Sequence, residues 1–172
     1  INRTYRSKFS KITGAALVGV LASNFVMIAV QTIRLETSPM DVLGTTFGVT
    51  WLIRMIITII LLGIWFWMER SPRLTNKKHV PMLIVSLALI FTTTMFGHGT
   101  ASELVAPMIL DYVHNLLASV WIGGVIFFSF IILPTLAKLD WMEKEKTVLA
   151  ILPRYSGMVT IALGILIITG PT

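Results

Sequence analysis

Five apolar runs dominate the chain, separated by short segments that carry nearly all of its charge. Each run approaches the roughly 20 residues a helix needs to cross a bilayer. They predict transmembrane helices over about 12–33, 48–68, 80–97, 107–135 and 149–170. The fourth run is long enough to tilt or to extend beyond the bilayer. Pro81 and Pro134 fall near helix ends, where a missing N–H costs little. The predicted fold is therefore all-α: a polytopic helix bundle of about five spans, forming one transmembrane domain over 1–172.

Composition fits that reading. Of 172 residues, 55% are hydrophobic and only 13% charged, against about 25% charged in a soluble domain. Mean hydropathy is +0.84. The formal net charge of +6 would suggest nucleic acid in a soluble protein. Here the basic residues sit in short loops between spans, so the lipid bilayer is the expected partner and nucleic acid is not. The absence of cysteine excludes disulfides and thiolate metal sites. The chain starts at Ile1, shows no secretory signal pattern and stops just after an apolar span, so both ends look cut and a longer protein is expected.

Charge also predicts orientation. Arg3, Arg6, Lys8 and Lys11 precede the first span. Arg70, Arg73, Lys77 and Lys78 follow the second. Lys138, Lys144, Lys146 and Arg154 lie between the fourth and fifth. These are twelve of the fourteen Lys and Arg, all on one side. The opposite loops hold Arg34, Glu36, Asp41 and Glu103. By the positive-inside rule the N-terminal end is cytoplasmic, the C-terminal end is outside, and the protein is multi-pass in the cell membrane. A weak internal echo links Lys8-Phe9-Ser10 with Arg154-Tyr155-Ser156, each leading into an apolar helix; a further helix is expected to precede Ile1.

Against this apolar background a few ionisable groups stand out. A charge near the centre of a membrane helix costs about 2.5–3.5 kcal/mol on insertion scales, so it persists where it is paired or functional. Asp111 and His114 share a helix face, which Ala118 and Trp121 extend towards the bundle. Met95 and His98 are likewise three apart. Arg54, beside Trp51, is the one basic residue clearly within a span. It calls for an anionic partner, with Asp111 first and Asp41 or Glu103 as alternatives. His98, His114 and Met95 offer two imidazoles and a thioether, donors that suit copper. Asp111 could bind the ion or orient His114. The plainer reading makes both histidines interfacial residues bonded to loop backbone and Asp111, and spacing alone favours it. The nine methionines divide evenly between the two halves of the membrane, as packing residues would. His79, beside Lys77 and Lys78, reads as a solvated loop residue. Ala15, Gly19 and Ser23, and Ser119 with Gly123, form small-residue rows that let helices approach closely. No Walker loop, dinucleotide fingerprint or HExxH is present, and no enzyme is expected.

His114 followed by Trp121-Ile122-Gly123-Gly124 resembles the H-x(6)-W-x-G-G helix of the CopD family of copper resistance membrane proteins. Gly97-His98-Gly99 is similar to that family's GH element. Phe47-Gly48, Trp51-Leu52 and Arg54 resemble its FG-x-x-WL-x-R helix. Arg154-Tyr155-Ser156 and the closing Thr169-Gly170 also fit. The resemblance implies an inner-membrane protein of copper homeostasis, often beside a periplasmic CopC-like copper carrier. It also implies more than five helices.

The expected function is acceptance of copper on the outer face, with transport across the membrane or delivery to a membrane partner. His98 and His114 would bind the ion, assisted by Met95 and Asp111. Arg54 would steady the acid side, with Trp51 and Glu103 in support, and Trp121 would wall off the bundle below. Two rivals remain. One is an accessory subunit, structural or copper-supplying, of a larger membrane complex such as a copper-dependent enzyme. The other is a haem b protein with His98 and His114 as axial ligands, which the helix-end position of His98 disfavours.

Overall fold

The computed structural model describes residues 2–70, 79–98 and 105–169, with side chains from Ser7 onward except those of Gly97 and His98. Every regular element among the described residues is helical: α1 (Asn2–Leu35), α2 (Pro39–Leu43), α3 (Thr46–Arg70), α4 (His79–His98), α5 (Val105–Phe127), α6 (Leu133–Leu136) and α7 (Trp141–Thr169). A π-helical turn, Phe128–Ile132, joins α5 to α6. Five stretches are long and apolar enough to cross a membrane: Ser7–Leu35, Thr46–Arg70, His79–Phe96, Val105–Leu136 and Trp141–Thr169. They coincide with the five expected spans. The last begins earlier than its apolar run, because a charged helical turn around Glu143–Lys146 leads into it.

The chain forms two compact units, Ile1–Glu103 and Leu104–Thr172. In the first, α3 packs against α1, α2 and α4. Leu17 and Asn24 of α1 and Thr50, Leu61 and Met68 of α3 are buried, as are Thr92 and Thr94 of α4. The packed stripe of α1 includes Gly14, which the Trp65 ring of α3 approaches. This differs from the small-residue row expected to pack. Ala15, Gly19 and Ser23 all face outward, and a Cβ on Gly19 would meet nothing within 4 Å. Position 14, one residue away, carries the close approach instead.

The α1–α3 connection is built from local signals. Glu36 has φ 50° and closes α1 with paired hydrogen bonds, Glu36 N–H to Ile33 O at 3.2 Å and Thr37 N–H to Thr32 O at 3.3 Å. This is the Schellman pattern with glutamate where glycine is usual. Ser38 then caps α2 in a reciprocal capping box with Asp41, and Pro39 takes the first turn, where its missing N–H is harmless. Gly48 lies against the backbone of Val42 and Leu43; a Cβ there would meet both residues, with the Leu43 carbonyl oxygen at 2.6 Å.

In the second unit α5 packs on α7. The Phe128 and Tyr155 rings stack with centroids 4.7 Å apart and planes 13° apart. Tyr155 also lies 3.4 Å from where a Cβ of Gly124 would stand, whereas Gly123 faces open space. Of the Gly-Gly pair, the second is therefore the packing position. The π-helical turn precedes Pro134, which has no N–H to give Phe130 O; the wider turn re-aims the ladder, with Leu133 N–H bonded to Phe128 O.

Candidate metal centre

Arg54 organises the interior of the first unit. Its Nε donates to Asn24 Oδ1 at 2.9 Å. Its Nη1 donates to Thr92 Oγ1 at 3.0 Å and Thr93 Oγ1 at 2.9 Å, and reaches Leu89 O at 3.5 Å. Asn24 is fully buried. Its Nδ2 donates to Thr58 Oγ1 at 3.1 Å, whose own proton goes to Arg54 O at 2.8 Å. The Trp51 indole N–H donates to Asn24 O at 2.7 Å. Thr92 gives its proton to Leu89 O at 2.6 Å. The Thr58 and Thr92 hydroxyls are thus donors to their own helices and acceptors across the bundle, and the pattern at Thr58 fixes the Asn24 amide orientation as well.

Within the first unit, Asp41 is not the anionic partner of Arg54. Among the described residues of that unit, the partners of Arg54 are neutral oxygens. A guanidinium offers five donors and keeps its charge, so several dipoles serve in place of one carboxylate. Asp41 is engaged elsewhere: it accepts from Ser38 Oγ at 2.7 Å, Thr37 Oγ1 at 2.9 Å and Ser38 N–H at 3.3 Å. Those three bonds, the Ser38 hydroxyl foremost, hold its pKa below the ordinary 3.8. Glu103, the other alternative, lies outside the described residues.

Near the same end of the unit, Phe47 of α3 meets Phe96 of α4, ring centroids 5.1 Å apart at 51°. Met95 is 36% exposed. His98 is the last residue of α4; its side chain, with Gly99 and Gly170, lies outside the described residues.

In the second unit His114 is partly buried, and its Nδ1 lies 2.9 Å from Thr169 Oγ1 on α7. Thr169 directs its hydroxyl to Ile165 O at 2.9 Å, with Leu166 O at 3.5 Å. With its proton directed to Ile165 O, the Thr169 oxygen is placed to accept from a ring N–H at Nδ1, the tautomer in which Nε2 carries the lone pair. Sequence spacing missed Thr169 as a partner of His114, because 55 positions separate them. Asp111 accepts from Asn115 Nδ2 at 3.0 Å, one turn along α5. Trp121 shares the arc of Asp111, His114 and Ala118 but stays 37% exposed. Within the second unit, α7 covers α5 at His114 and Gly124.

Among the described residues no three His, Asp or Glu side chains gather as a ready metal cage. Each unit instead presents donors in small groups: Met95 and the terminal His98 on α4, Asp111 and His114 on α5.

The helices and their apolar surfaces define a multi-pass α-helical membrane protein, embedded in a lipid bilayer. More specifically, residues 2–108 match the family described as copper resistance protein D-like, N-terminal domain, and the chain belongs to that family. It is a copper-resistance-related membrane protein. The match takes in Phe47-Gly48, Trp51-Leu52, Arg54 and His98 and ends before His114, close to the boundary between the two units. No curated protein and no solved structure matches the chain.

Proposed function

We propose that the protein accepts copper on the outer face of the cytoplasmic membrane and moves it across, or delivers it to a membrane partner. The copper is cargo. The observation that carries this reading is the His114–Thr169 bond, in a chain that belongs to a copper-resistance family: with Nδ1 engaged, Nε2 is the ring nitrogen proposed for the metal. His98 and Met95 are the donors proposed in the first unit, with Asp111 supporting His114 in the second. The positive-inside distribution supports a cytoplasmic N-terminal end, with a CopC-like carrier as the outer source.

Arg54 bears on the route. A monovalent copper ion about 5 Å from the guanidinium would be repelled by about 3 kcal/mol at an effective dielectric of about 20. The interior of the first unit is filled by the Asn24–Thr58–Thr92 cluster that holds this charge. That favours handover by surface donors over flux through this helix core.

The test is copper content by mass spectrometry on detergent-purified protein after incubation with Cu(I), for wild type, His98→Ala and His114→Ala. Bound copper that falls in each variant supports the assignment. Equal copper in all three removes it, and a Soret band in the wild type would assign the histidines to haem instead. The outward Ala15–Gly19–Ser23 row favours a second reading, a subunit of a larger membrane assembly. Recovery of fixed partner subunits in mild detergent would support it.

A further inference from the structure

The opposite end of the first unit holds a second collection of metal donors. There α1, α3 and α4 line a small recess that opens to the surface. Among its lining residues are Trp65, Met68 and Glu69 of α3 and His79 and Met82 of α4. His79, read from sequence as a solvated loop residue, is exposed but opens α4, and Met82 follows it by three positions, on the same face. Met68 is 8% exposed although it lies within two residues of the end of α3. Two of the methionines thus line one recess with an imidazole and a carboxylate. The lining is largely apolar, a setting that suits thioether donors, and the buried Trp65 Nε1–H has no hydrogen-bond partner among the described residues.

We propose that this recess is a cuprous-ion site, with the His79 imidazole and the Met82 and Met68 thioethers as ligands and Glu69 at its mouth. One nitrogen with two thioethers is a soft donor set, which selects Cu(I) over hard divalent ions. Only two of the four donors are His or Glu, so no cluster of three such residues marks it. Along α3, Met68 lies 14 residues from Arg54, about 21 Å at 1.5 Å per residue. The fixed cation thus stands between this recess and the Met95–His98 end of the unit, and the two donor groups bind independently. This inference rests on the copper-handling reading for its choice of metal. On the positive-inside orientation the recess faces the cytoplasm and serves as the inner station for the same cargo.

Anaerobic titration of the detergent-purified full chain with Cu(I), against a chromophoric Cu(I) chelator, tests the site. His79→Ala should lose one copper equivalent, and Met68→Leu and Met82→Leu should each weaken that equivalent about tenfold or more. Leucine preserves the packing volume, so these variants stay folded. Copper bound at the recess should quench tryptophan fluorescence, and Trp65→Phe should remove most of that quenching. The same titration in a His98→Ala/His114→Ala background separates the two readings. Copper that persists there and disappears on adding His79→Ala upholds the recess whatever the outer histidines do. Unchanged stoichiometry and affinity in His79→Ala combined with Met82→Leu overturns it, even if the outer histidines bind copper.

Discussion

At the scale of single residues the protein stakes most on Asn24. It is the acceptor for Arg54 Nε, the donor to Thr58, and through its backbone the acceptor for Trp51. Asn24→Leu leaves a guanidinium N–H without its acceptor, at about 1–3 kcal/mol, and removes the donor to the buried Thr58 oxygen, whose own proton stays bonded to Arg54 O. The expected loss is about 1–3 kcal/mol, read as a lowered Tm in detergent, whereas Thr93→Val, at an exposed position, removes one of three oxygens near Nη1 and should cost under about 1 kcal/mol. Thr169 makes a different prediction. Thr169→Val keeps the shape but removes the acceptor that fixes the His114 tautomer, so copper affinity should fall about 10–100-fold while the melting temperature changes little. Equal affinity in the two proteins would show that the ring needs no such partner. Arg54 was visible in the sequence as a charge inside a span. Its partners were not, because they are neutral residues 30 to 39 positions away, and no spacing rule links such residues to a charge.

At the scale of elements, the α1–α3 connection shows how local chemistry sets helix ends. Glu36 takes a left-handed conformation that favours glycine. Glu36→Gly should therefore stabilise the protein by about 0.5–1 kcal/mol, visible as a raised Tm. Asp41 predicts a pH response. Its carboxylate is stabilised in the fold, first by the Ser38 hydroxyl and then by Thr37, so the unfolded turn binds a proton more readily. The contribution is present above about pH 3.8 and is lost as pH falls through the lower folded value. Amide exchange at Asp41 and Val42 should accelerate over that acidic window, and Asp41→Asn should flatten the response. The glycines separate sharply. Gly48→Ala would drive a methyl into the Val42–Leu43 backbone and cost about 1–3 kcal/mol or more, while Gly123→Ala meets open space and should leave the Tm unchanged. The spans were legible because about 20 apolar residues are required whatever the tertiary fold. Which face of each helix packs was not: on a helix surrounded by lipid, outward and inward residues are equally apolar, so Gly14 and Gly19 look alike in sequence.

At the scale of the whole molecule, function depends on which end of each unit meets which compartment. The chain's lack of cysteine makes that directly measurable. Met40 on α2 is 77% exposed and Met142 at the start of α7 is 68% exposed; neither makes a polar contact that cysteine would break. If all five spans cross the membrane, the basic segments at the start of α1, after α3 and at the start of α7 share one side by parity. A membrane-impermeant maleimide added to intact cells should then label Met40→Cys, and should label Met142→Cys only after the membrane is opened. That result puts Met95 and His98 at the face where an outer copper carrier arrives, and the His79 recess at the face where a cytoplasmic acceptor would take over. The reverse labelling inverts the proposed direction but leaves both donor groups intact, since their chemistry is set within each unit. Labelling of both positions in intact cells would break the parity of the spans, and with it the idea that the two ends of the first unit serve opposite compartments.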